Sequence, residues 1–343
     1  MLRDPFEALA VCDIDLPVAL PKVEFPKRMK TGYATATAHH GELFQGVVEG
    51  ANGRLLRGLV SLPCGIFKSE ATFYPDASEV VRVEPSWKIK TRKAVELTLA
   101  HTKKVGWGGL LKICSTIPVG WGLGSSTSDV TAAIRAVADA FDARIDQRVI
   151  ASLAVKAESA SDSTMFNDRV VFFAHRRGVV IEDLKGALPE LEVLGFNTDH
   201  TCVGVDTVNH VPAQYSWWEI EAFRPLTGLL RRAIDTQNPY LIGQVSTASA
   251  FINQQHLPKP HFEQINQVAR RVGALGLQVA HSGTVVGLLF DPRDERTTSR
   301  IRDAENLIRE MGLKQTWHFR TGDECEIEVR DRDEVLSGCS DGR

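Results

Sequence analysis

A glycine-rich segment at residues 118–128 (PVGWGLGSSTS) constrains the fold of this 343-residue chain more than any other feature. It follows an alternating stretch at 109–117 that predicts a β-strand, and it precedes an alanine-rich stretch at 129–141 with the apolar spacing of a buried helix. Three glycines at alternate positions allow a tight turn and a close approach to a ligand, because glycine has no Cβ atom. The start of the helix offers unpaired N–H groups and the positive end of the helix dipole, which suit a phosphate. A plain glycine turn before a helix is the structural alternative.

Two common phosphate-binding motifs do not fit this segment. No lysine follows its last glycine, so it is not a Walker A loop. Its glycines are spaced GxGxG rather than GxGxxG, so it is not the fingerprint of a dinucleotide-binding fold. Ser125, Ser126 and Thr127 add hydroxyl groups that can bond to phosphate oxygens or to a Mg²⁺ ion.

The composition excludes several classes of protein. A formal net charge of -3 gives no basic excess, which argues against a nucleic-acid partner. No apolar run reaches the roughly 18 residues that span a bilayer, and acidic residues among the first 30 argue against a secretory signal. The six cysteines form no CxxC pair, so a cysteine metal site has no support. We therefore expect a cytoplasmic protein without a membrane partner.

The length predicts two domains, and strands interleaved with helices in both halves predict an α+β or α/β fold. We expect an N-terminal arm at 1–30, a first domain at 31–190, a second domain at 191–330 and a polar tail at 331–343. Strand-like patterns occupy 32–48, 57–66, 109–117, 170–174, 179–181, 279–290, 315–319 and 325–329. Helical patterns occupy 129–141, 146–159, 217–234, 240–253, 262–275 and 294–311. Pro225 should kink or end the helix in which it lies.

Four motifs in order resemble those of the GHMP small-molecule kinases, which include galactokinase, homoserine kinase and mevalonate kinase. The Pro-x3-Gly-Leu-Gly-Ser-Ser string at 118–126 is similar to the ATP-binding signature of that family. The segments ATAHHGELFQG (36–46) and AHSGTVVG (280–287) stand where its first and last motifs fall. The GELxQG string and the ESASDSTMF segment (158–166) resemble the branch that contains the L-threonine kinases of cobalamin biosynthesis. The resemblance covers residues 32–330.

This resemblance implies a two-domain GHMP kinase fold, with an N-terminal domain like domain 2 of ribosomal protein S5 and a ferredoxin-like C-terminal domain. It implies ATP and Mg²⁺ as cofactors. The residues it assigns to ATP are Pro118, Gly120, Gly122, Leu123, Gly124, Ser125, Ser126 and Thr127. Those it assigns to the substrate are Gly41, Glu42, Gln45, His281, Ser282, Gly283 and Thr284. Ser126 and Glu158 would hold Mg²⁺, and Asp162 would accept the proton of the substrate hydroxyl or orient that hydroxyl.

The residues themselves leave alternatives open. Glu158 and Asp162 are four positions apart and would share one face of a continuous helix, although Ser161 and Ser163 favour a loop there. An isolated acidic pair at this spacing is most often a solvated helix end. Glu42 could bind a substrate ammonium or hydroxyl, or only cap a turn.

Four residues depart from the family pattern. One is Thr127, because the family more often has alanine after the serine pair. His39 and His40 stand where the threonine kinases carry a small pair of residues, which alters the volume and charge of the pocket. Adjacent residues of a strand face opposite sides, so a metal site shared by these two histidines is not expected. Trp121 adds bulk that we expect to be exposed, either stacking on the nucleotide base or packing.

The sequence therefore predicts an enzyme that phosphorylates the hydroxyl of a small metabolite with ATP. A hydroxy amino acid such as L-threonine is the favoured substrate, and the chain is expected to be a monomer or a homodimer. A kinase for a sugar or another alcohol is one alternative. A non-catalytic sensor that binds a nucleotide or metabolite on the same fold is another, because a fold does not fix a function.

Overall fold

The computed structural model of the protein describes residues 29–49, 53–199 and 213–322. Most of the expected N-terminal arm, the strand expected at 325–329 and the polar tail lie outside the described residues. The first half of the described chain forms β1 (Gly32–Glu49), β2 (Leu55–Asp76), β3 (Val81–Glu84), α1 (Ile89–His101), β4 (Gly108–Ser115), α2 (Ser125–Ala140), α3 (Gln147–Glu158), β5 (Val171–Ala174) and β6 (Val179–Asp183). The second half forms β7 (Glu192–Asn197), α4 (Trp217–Asp235), α5 (Pro239–Asn253), α6 (Phe262–Val272), β8 (Gly276–Val279), β9 (Val285–Phe290), α7 (Thr297–Glu310) and β10 (Thr316–Arg320).

One sheet connects the two halves of the chain. Its strand order is β10-β7-β9-β8-β1-β2-β4-β3, with β5 paired to β2 and β6 paired to β5. The long antiparallel pair of β1 and β2 forms its centre, and β1 joins β8 where Glu42 lies opposite Val279. The backbone of β1 is irregular there, with register shifts on both sides of Glu42. The motif at 36–46 therefore lies at the junction of the two predicted domains.

Helix α2 lies close against this sheet because its inner face is built of small residues. Ala132, Ala133 and Ala136 are fully buried along it. The approach is so close that a Cβ atom on Gly32 of β1 would come within 1.9 Å of the Ala136 carbonyl oxygen. This packing fixes the position of the helix start, where the glycine-rich segment ends.

Most of the predicted elements are confirmed, but several differ. Strand β2 continues to Asp76, beyond the predicted end at 66, and β8 begins at Gly276 rather than 279. Helix α4 continues through Pro225, because buried residues on both sides of the proline, Phe223 and Leu230, pack against the core. Helix α6 ends at Val272 rather than 275, because Gly273 takes a left-handed conformation (φ +70°) and the chain then enters β8. Helix α1 and the strands β3 and β7 were not expected from the sequence. No helix within the described ranges is both long and apolar enough to pass through a membrane.

Candidate active site

The glycine-rich segment forms the loop between β4 and α2. Gly120, Gly122 and Gly124 all have left-handed backbones, with φ of +83°, +87° and +75°. Gly124 is the N-cap of α2, so the free N–H groups of the first turn follow directly after it. The predicted strand–loop–helix arrangement is therefore present, with the start of a 16-residue helix available to bind an anion.

The turn between β8 and β9 is interlocked with this loop. The backbone N–H of Thr284 donates to the Trp121 carbonyl oxygen at 2.9 Å. A Cβ atom on Gly122 would lie 2.5 Å from the Ala280 Cβ, and one on Gly283 would lie 2.4 Å from the Trp121 carbonyl oxygen. Two motifs more than 150 residues apart in sequence thus depend on glycine to touch each other.

The loop borders a cleft of about 390 Å³ that contains most of the predicted site. The predicted residues in its wall are Glu42, Gln45, Gly120, Gly122, Gly124, Ser125, Ser126, Thr127, Glu158, Asp162, His281 and Ser282. Leu123 instead packs in the core, and its carbonyl oxygen accepts the His39 N–H at 3.2 Å. The structure does not bring Pro118, Gly41, Gly283 or Thr284 into the wall.

Thr127 connects the two carboxylates of the cleft. Helix α3 ends at Glu158, and the left-handed Ser159 turns the chain so that Asp162 lies in the loop beyond. The Ser126 hydroxyl donates to Glu158 Oε2 at 2.5 Å. The Thr127 hydroxyl lies 3.0 Å from Glu158 Oε1 and 3.2 Å from Asp162 Oδ2. Residues 161–163 therefore form a loop rather than a continuation of the helix. The carboxylates of Glu158 and Asp162 nevertheless both reach the start of α2.

Glu158 is a buried carboxylate with the properties of a cation ligand. Burial raises its pKa to about 7, and the nearby Asp162 charge adds to this, although hydrogen bonds from Ser126 and Thr127 oppose it. Its donor set with Ser126 consists of a carboxylate and a hydroxyl, both oxygen ligands of the kind Mg²⁺ prefers. A divalent cation would therefore stabilise the ionised form of Glu158.

Glu42 links the first motif to the last one. Its side chain is 3% exposed. Its Oε2 accepts a hydrogen bond from the His281 backbone N–H at 2.8 Å and lies 3.1 Å from the ring Nδ1 of the same residue. Glu42 therefore holds the turn after β8 against β1, in addition to facing the cleft.

The two adjacent histidines of β1 contact different partners. The His39 ring lies between the Gly41 carbonyl oxygen, 3.1 Å from Nδ1, and Asp162 Oδ2, 2.9 Å from Nε2. His40 Nδ1 instead lies 2.7 Å from Gln278 Oε1. Burial lowers the pKa of His40 to about 4. Only His39 therefore belongs to the cleft, where it contacts Asp162.

Trp121 is not exposed as expected. Its side chain is buried and stacks on Trp317 with ring centroids 5.7 Å apart, because the loop turns it inward under the sheet. It cannot stack on a ligand in the cleft. The indole next to the helix start is instead Trp87, which is 62% exposed.

Several cleft residues have no signal in the sequence. Arg57 of β2, Lys90 of α1 and His175 after β5 all lie in the wall. They come from segments that match no motif and meet only through the fold. Sequence patterns alone therefore could not place them in the site.

Comparisons with known proteins agree with this geometry. A family model described as the GHMP kinases N terminal domain matches residues 90–172. An L-threonine kinase from Salmonella typhimurium is 30% identical over 288 residues, which are 83% of this chain and 90% of that protein. The crystal structure of homoserine kinase from Cytophaga hutchinsonii has a TM-score of 0.64 at 16% identity, over 86% of this chain and 96% of that one. A Lactococcus lactis galactokinase complexed with galactose has a TM-score of 0.61 at 12% identity, over 86% and 94% of the two chains.

These matches confirm the family resemblance of the motifs and the α+β fold of the family. The relative with 30% identity is matched along nearly its whole length, and the solved structures share the fold. The chain belongs to the GHMP kinases and, within them, to the branch of the L-threonine kinases.

Proposed function

We propose that this protein is an ATP-dependent kinase that phosphorylates the hydroxyl of a hydroxy amino acid, with L-threonine as the preferred substrate. The observation that carries the proposal is the arrangement around Thr127, where the start of α2 meets the carboxylates of Glu158 and Asp162 in one cleft. Phosphoryl transfer depends on positioning and on charge neutralisation, and this arrangement supplies groups for each. The named relative, an L-threonine kinase, supports the substrate.

The triphosphate of ATP would lie on the glycine loop. The N–H groups at the start of α2 and the hydroxyl of Ser125 would bind its oxygens. Glu158 and Ser126 would hold a Mg²⁺ ion, which offsets the charge of the β- and γ-phosphates when bound. A pocket of about 240 Å³ lined by Trp87, Ile89 and Val119 adjoins the helix start, and it offers an apolar surface for the base.

Asp162 would accept the proton of the substrate hydroxyl. The hydroxyl oxygen forms the new bond to the γ-phosphorus, and the bond to the β–γ bridging oxygen breaks, so that ADP leaves with that electron pair. The proton passes to the Asp162 carboxylate. Glu42 and Gln45 line the same cleft and would orient the amino acid.

The finer features of the assignment are also proposals. We propose that the chain acts in the cytoplasm as a monomer or homodimer, in cobalamin biosynthesis, without a nucleic-acid partner. The division into an S5-like domain at 31–190 and a ferredoxin-like domain at 191–330 stays a prediction.

A substrate panel tests the function. Purified protein with ATP and Mg²⁺ is expected to release ADP with L-threonine, and the panel adds L-serine, L-homoserine, galactose and mevalonate. Asp162→Asn is the matched control and should release far less ADP, because it keeps the shape but cannot accept the proton. Nucleotide binding without ADP release for any alcohol would mean a sensor. A preference for galactose or mevalonate would show that the substrate is not a hydroxy amino acid.

A further inference from the structure

His39 contacts both the glycine loop and the carboxylate of Asp162. Its backbone N–H donates to the Leu123 carbonyl oxygen. Its ring fills the space beside Gly124, where an added Cβ atom would lie 2.2 Å from the His39 Cδ2. The side chain is 3% exposed, so contacts within the protein determine its orientation.

The partners of the two ring nitrogens indicate a doubly protonated ring. Nδ1 faces the Gly41 carbonyl oxygen, which can only accept, so Nδ1 carries a hydrogen. Nε2 faces a carboxylate oxygen of Asp162, which when ionised also only accepts. A neutral ring would therefore direct a lone pair at Asp162. The approach of Nε2 to Asp162 is too oblique for a straight hydrogen bond, so charge attraction is the main interaction of an imidazolium there.

The surrounding charges support this protonation state. Burial on its own would lower the pKa of His39, but the negative charges of Asp162 and Glu42 outweigh it and raise the pKa to about 9. Glu42 Oε1 lies 4.0 Å from His39 Nδ1. The neighbouring His40 has no such carboxylate contact among the described residues, and its pKa falls.

The contacts of Asp162 are asymmetric. The His39 Nε2 and the Thr127 hydroxyl both approach Oδ2. Within the described residues no side chain bonds to Oδ1, and the Asp162 side chain is 22% exposed toward the cleft. Oδ1 is thus the oxygen available to an incoming hydroxyl.

We propose that His39, as an imidazolium, is a positioning residue that holds Oδ2 of Asp162 so that Oδ1 faces the substrate hydroxyl. This inference rests on the proposed kinase function. In the transfer step the hydroxyl proton goes to Oδ1, and His39 keeps both of its own protons. The two imidazoles that replace the small pair of the threonine kinases thereby have separate roles, since His40 contacts Gln278 on the other side of β1.

The packing against Gly124 gives a competing explanation, in which His39 only supports the loop. His39→Gln separates the two, because glutamine fills a similar volume but carries no charge. His40→Gln is the matched control, since it makes the same change at the adjacent buried position away from the cleft. A role through Asp162 predicts a lower kcat with an unchanged KM for ATP, whereas a disturbed loop raises that KM.

A double-mutant cycle is the decisive test. We expect His39→Gln to lower kcat about tenfold in the wild-type background and less than twofold in the Asp162→Asn background, because residues that act through one group are not additive. His40→Gln should lower kcat less than twofold in either background. An equal loss from His39→Gln in both backgrounds, or a loss confined to the KM for ATP, would overturn the proposal.

An NMR measurement separates this proposal from the function on which it rests. The ring nitrogens of His39, identified by their loss in His39→Gln, should both be protonated in the wild type at pH 7.5. They should show a neutral ring in Asp162→Asn. A neutral His39 ring in the wild type would overturn the proposed ion pair of His39 and Asp162, even if the protein is an active kinase. If the ring is protonated only when Asp162 is present, but the protein releases no ADP, the result would support the ion pair of His39 and Asp162 and reject the kinase function.

Discussion

Thr127 is the residue on which both carboxylates of the cleft converge. Its hydroxyl has one hydrogen, so it can donate to only one of Glu158 and Asp162 at a time, while it accepts from the Asp162 N–H at 3.2 Å. The hydroxyl is buried, and its loss would leave polar groups without a partner. The Thr127 hydroxyl therefore couples the positions of the two carboxylates.

Thr127→Ala should lower both stability and turnover. We expect the free energy of unfolding to fall by about 1–2 kcal/mol, because a buried hydrogen-bond network loses a member. The kcat should fall about tenfold through displacement of Asp162, while Thr127→Ser keeps most of it. Urea unfolding and ADP release measure the two effects. Equal kcat values for the alanine variant and the wild type would show that Asp162 does not depend on this hydroxyl.

Glu158→Gln should stabilise the ligand-free protein at high pH. The folded-state pKa of Glu158 is raised to about 7 from 4.5, chiefly by burial, so the native state binds more protons than the unfolded chain in this window. Stability is therefore lost as the pH rises through 4.5 to 7, and glutamine removes that loss. We expect a gain on the order of 1–3 kcal/mol at pH 8 that shrinks toward pH 5. Urea unfolding without nucleotide at the two pH values measures it, and a difference that is the same at both would contradict it.

At the scale of elements, the glycine loop and the turn between β8 and β9 form one unit. Gly122 lies against Ala280 and the Ser282 carbonyl oxygen, and Gly283 lies against the Trp121 carbonyl oxygen. The Thr284 N–H closes the contact by donating to the same Trp121 carbonyl. The position of the phosphate loop thus depends on an element from the other half of the chain.

Gly122→Ala should disturb this unit more than an alanine at Gly312 after α7. Both glycines have φ of +87°, so both variants bear the same left-handed strain. A Cβ atom at 122 would lie 2.5 Å from the Ala280 Cβ, whereas nothing lies within 4 Å of one at 312. We expect the free energy of unfolding to fall by about 1–2 kcal/mol in Gly312→Ala and by about 2–4 kcal/mol in Gly122→Ala. Only Gly122→Ala should raise the KM for ATP. Equal losses of unfolding free energy in the two variants, with no change of KM, would argue against the close contact between the glycine loop and the turn between β8 and β9.

The sequence predicted elements well where a strong period or a helix-forming composition is present. The alanine-rich α2 and the N-cap Asp146 of α3 are examples. Helix α1 was missed because its buried face includes Thr91, Ala94 and Thr98, which give little amphipathic contrast. Strand β3 was missed because four residues that pair in parallel with β4 carry no clear pattern.

The site shows the same division between local and long-range information. The motifs placed the glycine loop, Glu158 and Asp162 in one cleft. They could not say what His39 contacts, because Asp162 is more than 120 residues away and the pair forms only when β1 passes beneath the loop. Trp121 was wrongly expected to be exposed, because the sequence of a glycine loop does not show in which direction the loop turns a side chain.

At the scale of the whole molecule, the two predicted domains share both a sheet and a core. The largest apolar cluster contains Leu43 and Leu62 from the first half together with Phe223, Val245 and Leu289 from the second. Strand β1 pairs with β8 at Glu42, and the same residue accepts hydrogen bonds from His281. Separation of the halves would therefore expose a large apolar surface and break the hydrogen bond from the His281 N–H to Glu42, which is unfavourable.

We therefore expect the protein to unfold in one cooperative transition rather than two. Calorimetry, far-UV circular dichroism and tryptophan fluorescence should give the same midpoint, because neither half retains its core without the other. Mg²⁺ and a non-hydrolysable ATP analogue at about 100 times its dissociation constant should stabilise the protein by about 2.7 kcal/mol and shift all three signals together. Two resolved transitions, of which the nucleotide shifts only one, would show instead that residues 31–190 and 191–330 fold independently and that the shared sheet contributes little to their coupling.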